Sequence, residues 1–315
     1  MRLINLPSIY SSAYCSYIAT ELCQWSVADL VKKEEQFDKS EDYATVKAIR
    51  EQLGVVEILR QSTEGLSFLH GFGYIHRNLD PANFWVAKYE HSGNTIYYQI
   101  KISNFRYSKN INVNPDNSCT IAEKWFAPEC AVKGNVDEGK ILALSADVFV
   151  LGMYYFYVLF GGRHPFEEEG DDHLDAKTYT ESICWRMQKA DHKIYNWTTT
   201  NDDGYATFNS FPWDHDKLID LYGSIWRIPA VDDYYERVDV IQTVIHQALS
   251  LIKGMMKYKT ASAADAGRLT LKQVSENNFF KSKAEKRYII DVPGQKLGLC
   301  LIFCNSSFDD EPRVE

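Results

Sequence analysis

The stretch FGYIHRNLDPANFWV, residues 72–86, constrains this chain more than any other. A His-Arg pair is followed at set offsets by Leu79, Pro81 and Asn83. Further segments follow in order: KISNFRYSK at 101–109, WFAPE at 125–129, SADVFVLG at 145–152, and Arg268 within GRLTLKQV. Asn104 comes 21 residues after Asn83. Any one of these is a weak signal. Five in order, at consistent spacing, confine the chain to one architecture, because a short motif takes its meaning from its structural context.

Hydrophobic periodicity sets the frame around them. YCSYIATEL, residues 14–22, alternates and is rich in aromatics, as a half-buried strand does. Ser26 and Asp29 make a capping box before an apolar-periodic stretch. Val46, Ile49, Leu53, Val56, Leu59, Leu66 and Leu69 recur at helical steps, which predicts one long amphipathic helix over 44–70. Gly71 and Gly73 stop it. NFWVAKY and TIYYQIKIS read as strands joined by a turn at HSGN, and NINVNPDNSCT, residues 110–120, as a polar loop. The apolar run VFVLGMYYFYVLFGG, 148–162, falls short of the roughly 18 to 20 residues of a membrane span, so a buried helix is expected at 148–160. Helices are also expected at 234–256 and, shorter, within 268–280.

Composition excludes several classes. The chain has 315 residues, 45% hydrophobic and 24% charged, which suits one large domain or two modest ones. A net charge of −9 with no Lys/Arg block argues against a nucleic-acid surface. The seven cysteines, Cys15, Cys23, Cys119, Cys130, Cys184, Cys300 and Cys304, form no CxxC pair and read as isolated thiols of a reducing compartment. Cys300 and Cys304 make a poor zinc site without further ligands. The acidic stretch EEEGDDHLD, 167–175, reads as a solvated insert, with a metal loop as the alternative. The N-terminus lacks the apolar core of a signal peptide.

LHGFGYIHRNLDPANFWV resembles the protein-kinase catalytic loop, with its L-H … H-R-D-L-K-P-x-N order. KISNFRYSK resembles the D-F-G segment, WFAPE the A-P-E motif and SADVFVLG the start of the central kinase helix. YIATELC, GGRHPF and ENNFFKSKAEKRYIIDV are similar to segments of the inositol-requiring endoplasmic-reticulum stress sensors, relatives of ribonuclease L, which join a kinase domain to a ribonuclease extension. The resemblance covers residues 8–292 and fails over 167–236. It implies an α+β, kinase-like fold, mainly the helical C-terminal lobe. Residues 1–23 would be a remnant of the small lobe and hinge, 24–281 the lobe with an insertion at 167–236, and 282–315 a vestige of the extension. The chain starts near the fourth small-lobe strand and shows no G-x-G-x-x-G or V-A-I-K in residues 1–20, so either the protein is truncated or the gene is partial.

The resemblance also assigns roles. The loop base would be Asn78, and an amide is a poor base. The loop lysine position is Asp80, which inverts the charge beside the transferred phosphate. The D-F-G aspartate, the main Mg²⁺ ligand, is Asn104, and the glycine is Arg106. Asn83 keeps the second metal position, or else bonds local backbone; Glu21 and Cys23 would line the adenine hinge. His76 would pack under Phe105. Arg77 would capture a phosphate, an acidic group or a carbonyl; Glu129 would pair with Arg268, and Asp147 would cap backbone N–H groups of the loop. The expectation is a pseudokinase without cofactor, acting through a protein partner or a homodimer, cytoplasmic, with no nucleic acid and no membrane segment. The alternatives are a serine/threonine kinase using ATP and Mg²⁺, if a small lobe exists outside this chain, and a ribonuclease-linked sensor fragment.

Overall fold

The computed structural model describes residues 9–11, 16–18, 21–91, 95–111, 124–130, 142–168, 170–188, 199–200, 206–207, 234–257 and 267–281. The tail at 282–315, with Cys300 and Cys304, lies outside the described residues, as do 112–120 of the polar loop and most of the 167–236 insertion. Helices and small antiparallel sheets share one core, the α+β arrangement expected from the sequence.

Strands β1 (Ile9–Ser11) and β2 (Ser16–Ile18) pair antiparallel. The strand expected over 14–22 is therefore shorter, and Glu21 to Gln24 carry no regular structure. β3 (Trp25–Ser26) leads into α1 (Val27–Leu30), where Ser26 N and Oγ both donate to Asp29 Oδ2. β3 also forms one edge of a three-stranded sheet, β3-β5-β6, with β5 (Phe84–His91) and β6 (Thr95–Ile102).

The helix expected over 44–70 runs from Ser40 to Gly71 as α2, but it is not continuous. Gly54 sits at φ 66°, ψ 162°, so two helices meet at a kink. The apolar spacing of Leu53 and Val56 bridges that kink in the sequence, which hid it. Beyond the kink, Ile58, Leu59, Leu66 and Leu69 line the core. The helix ends at Gly71, and Gly73 takes φ 75°.

Helix α3 (Leu142–Leu159) is the buried centre expected at 148–160: Phe149, Leu151, Met153, Tyr154, Tyr155 and Val158 are fully covered. Two tyrosines on such a helix must find partners for their hydroxyls. Tyr154 meets Ser62 Oγ at 2.9 Å, and Tyr155 meets Thr63 Oγ1. The Ser62 and Thr63 hydroxyls also donate to the carbonyls one turn back, at Ile58 and Leu59. A polar seam thus fixes α3 against α2. Phe84 stacks on Tyr154 at 4.1 Å and ties the sheet to the same helix. Helix α4 (Ala176–Gln188) precedes α5 (Tyr234–Met255), whose end lies against α3 where Gly152 lets Met256 approach; a Cβ there would stand 2.7 Å from Met256 Cγ. The closing helix expected within 268–280 is the short α6 (Leu271–Ser275), followed by a single 3-10 turn at Asn278–Lys281.

Candidate functional site

Asp147 organises the loop between α2 and β5. It lies in α3, 2% exposed, and its Oδ2 accepts from His76 N at 2.8 Å and meets His70 Nε2 at 2.9 Å. Its Oδ1 accepts from Arg77 N at 3.0 Å. Arg77 takes φ 66°, a left-handed conformation that costs a non-glycine residue roughly 1–3 kcal/mol unless its surroundings impose it. The paired N–H bonds to Asp147 are that imposition.

His76 is wholly buried. Its Nε2 bonds Ser103 O at 2.9 Å and its Nδ1 accepts from Asn78 N at 3.2 Å, an arrangement that suits a neutral ring protonated at Nε2. Burial pulls its pKa below the usual histidine value. Its ring meets Phe105 edge-on at 5.2 Å. The second strand pair, β4 (Tyr74–Ile75) with β7 (Lys109–Asn110), brings the 103–108 segment alongside the loop. There Ser103 N donates to Asn83 O at 2.9 Å and Ser108 Oγ to His76 O at 3.2 Å.

At the centre stand amides. Asn104 Nδ2 donates to Asn83 Oδ1 at 3.1 Å, and Asn83 Nδ2 donates to Asn78 O at 2.9 Å. Asn104 also takes a left-handed φ of 61°, which asparagine tolerates better than most residues. Two neutral amides, one with its oxygen already accepting from the other, do not fit the carboxylate-rich donor set that Mg²⁺ takes. Asn78, 8% exposed, presents no group that accepts a proton near neutral pH. Asp80 caps the turn Pro81–Asn83, its Oδ1 accepting from Ala82 N at 2.7 Å. Burial first, and then the negative charge of Asp80, pushes the Tyr157 phenol up to about 12.

The remaining predicted residues lie around this centre. Glu129 is held by Arg268 on the far side of α3, with Arg268 Nη1 2.7 Å from Glu129 Oε1. Glu21 and Cys23 stand in the segment before β3, and Glu21 accepts from Lys101 Nζ. Sequence reasoning did not single out Lys101 or His70. Lys101 carried a signal nonetheless, as a cation inside the apolar-aromatic strand TIYYQIKIS, whereas His70 had none beyond its place in the Leu-His pair. In the acidic stretch, Asp171 and Glu168 pair with Arg186 of α4. Among the described residues no group of acidic, His or Cys side chains forms a metal cluster. Among the same residues no helix is long and apolar enough to cross a membrane.

Comparison with known proteins matches residues 1–280 to the protein kinase domain family. The sensor for unfolded proteins in the ER ire1 of Schizosaccharomyces pombe is 27% identical over 175 residues, covering 49% of this chain and 15% of that protein. The serine/threonine-protein kinase/endoribonuclease ireA of Aspergillus fumigatus is 28% identical over 182 residues, 49% of this chain and 15% of that one. The serine/threonine-protein kinase/endoribonuclease ire-1 of Caenorhabditis elegans is 29% identical over 172 residues, 52% of this chain and 16% of that one. The match thus spans 15–16% of the length of these curated relatives.

Proposed function

Because the chain belongs to the protein kinase domain family, we propose that it is a pseudokinase that works by binding another protein, or a second copy of itself, and not by phosphoryl transfer. The observation that carries this reading is that neutral amides stand at the metal and base positions, with Asn104 Nδ2 donating to Asn83 Oδ1 and Asn83 Nδ2 spent on the backbone carbonyl of Asn78. Phosphoryl transfer rests on positioning and on neutralising charge. Losing the general base typically costs about 10²- to 10⁴-fold in rate. Asp80 places a negative charge where the family's loop has a positive one. Replacing a phosphate-binding or metal-binding group forfeits about 1–3 kcal/mol, whereas millimolar affinity amounts to only about 4 kcal/mol. Three such replacements exhaust it, so no cofactor is expected.

The scaffold side of the loop argues for a retained role. The Asp147 bonds and the Arg268–Glu129 pair hold the loop and helix together independently of any chemistry. Similarity to kinase/endoribonucleases, one of them named a sensor for unfolded proteins in the ER, favours a signalling role in the same setting, with this lobe in the cytoplasm.

The test is a thermal-shift and calorimetric titration of purified chain with Mg²⁺-ATP, together with a phosphotransfer assay. No saturable binding below about 1 mM and no transfer are expected. Saturable binding in that range, abolished by Asn83→Ala, would overturn the reading in favour of an active kinase.

A further inference from the structure

Helix α2 carries an apolar patch that the core leaves exposed. Beyond the Gly54 kink, Glu57, Arg60, Glu64, Phe68, Gly71 and Phe72 follow at steps that place them on one side of the helix. Phe68 and Phe72 are 41% and 57% exposed, and their rings meet at 4.9 Å. A Cβ on Gly71 beside them would meet nothing within 4 Å. Arg60 pairs with both Glu57 and Glu64, so this stripe runs from one excess negative charge to a bare aromatic pair.

The patch is too small to hold a separate molecule by itself. Two phenyl rings about half exposed offer on the order of 200 Å². A specific interface between separate chains takes about 800 Å² from each. A segment of the same chain needs less, because its tether holds it near the patch at an effective concentration of about millimolar.

The described chain ends within reach. Helix α6 packs against α2, and the turn after it sets Phe280 edge-on to Tyr155 at 6.2 Å. The Tyr155 hydroxyl donates to Leu59 O at 3.3 Å and meets Thr63 Oγ1. The exposed Lys281 therefore leaves the fold beside the middle of α2. Phe72 lies about 14 Å beyond Thr63 along the helix, at 1.5 Å per residue. The 15 residues from 282 to 296 span up to about 50 Å, more than that path requires. After them comes LGLCLIFC, residues 297–304, which has neither charge nor proline. Such a run needs an apolar cover, since left bare it promotes aggregation. In an extended segment Leu297, Leu299, Leu301 and Phe303 share one face. Lys296, directly before the run, complements the excess charge at the Glu64 end of the stripe.

We propose that residues 297–303 dock in cis on the Phe68–Phe72 pair, with Lys296 towards Glu64, as a strap across the outer side of α2. The strap does not depend on whether the lobe transfers phosphate. Cys300 lies within it, so thiol chemistry on the full chain reads its position. In Gly71→Cys, oxidised glutathione should produce a disulfide between the introduced thiol and Cys300 or Cys304 of the same chain, identified as a linked peptide by mass spectrometry. Maleimide alkylation of Cys300 should be at least about tenfold faster in Phe68→Ser/Phe72→Ser than in the unaltered chain, because the thiol reacts when the strap is open. A link that forms between chains, seen as a dimer on a non-reducing gel, would overturn the strap in favour of a second copy. No link at all, or Cys300 reacting at one rate in both folded proteins, would overturn it as well. Should the double variant fail to fold, the crosslink alone decides.

Discussion

Arg268 holds Glu129 from 139 residues away in a two-pronged pair, Nη1 to Oε1 at 2.7 Å and Nη2 to Oε2 at 3.2 Å. The same guanidinium donates to Ser145 O at 2.7 Å, and its Nε and Nη2 donate to Lys257 O at 3.0 and 2.7 Å. Its plane lies over Phe149, 4.9 Å from the ring centroid. One side chain thereby joins the turn at Pro128–Cys130, the first half of α3 and the residues just after α5. Arg268→Ala strands the largely buried Glu129 carboxylate and removes the donors to Ser145 O and Lys257 O. It should destabilise the fold by about 3–5 kcal/mol, read as a lowered melting temperature. An unchanged melt would refute the pairing.

Gly54 is expected to be irreplaceable for backbone reasons alone. A Cβ there would meet nothing within 4 Å, yet φ 66° with ψ 162° lies in a region reserved almost entirely for glycine. Gly54→Ala should cost about 1–3 kcal/mol in urea denaturation without altering the helical circular dichroism of the folded state. Stability equal to that of the unaltered chain would show that the kink does not form.

Acid should weaken the fold through two buried histidines. His164 meets Lys124 O at 3.1 Å and accepts from Phe166 N at 3.3 Å, and burial, with the Lys124 charge second, pulls its pKa from 6.5 to about 3. Burial lowers His76 as well, against the opposing pull of Asp147. In both, the unfolded chain binds the proton more readily than the folded one. Their contribution is therefore complete above the unfolded pKa of 6.5 and is lost as pH falls from there towards about 3 for His164. The expected slope in that window is up to about 1.4 kcal/mol per pH unit for each histidine, measured by denaturant titrations at neutral and mildly acidic pH. Stability that rises on acidification through this range would contradict the buried neutral rings.

Asn104→Asp should give the site one anionic ligand beside Asn83 and break the amide donation between them. Affinity for Mg²⁺ or Mn²⁺, followed calorimetrically, is expected to rise at least about tenfold, equivalent to about 1.4 kcal/mol. Phosphotransfer should stay undetectable, because Asn78 still supplies no base. A variant that binds metal no better would mean that Asn83 and Asn104 do not converge on a shared ligand position.

Much of the scaffold is legible in the order of residues alone. The apolar run at 148–160 is too short to span a membrane and too apolar to lie on the surface, so burial is its only outlet. The order of His76, Asn83, Asn104, Glu129, Asp147 and Arg268 specifies which segments have to converge. The Ser26–Asp29 box and Gly73 are local devices, and local chemistry is written in adjacent residues. The kink at Gly54 is not legible, because apolar positions continue at helical spacing on both sides of it and one left-handed glycine does not disturb that count. The fate of the acidic stretch is hidden as well, since the partner that settles it, Arg186, lies 15 residues beyond Asp171.

By itself, then, the sequence determined the longer helices, the β5–β6 hairpin, the buried helix and the chemical identity of each loop position: amides at 78, 83 and 104 and a carboxylate at 80, whatever the fold does with them. These follow from residue type and short-range periodicity. Only the tertiary structure decided what those groups touch. That Asn104 gives its N–H to Asn83, that Asp147 fixes Arg77 in a left-handed turn, and that Lys101 closes on Glu21 depend on segments 21, 70 and 80 residues apart in the chain. Side-chain hydrogen bonds and buried ion pairs form over a few ångströms, and it is the packing of the whole core, not any local pattern, that sets such distances.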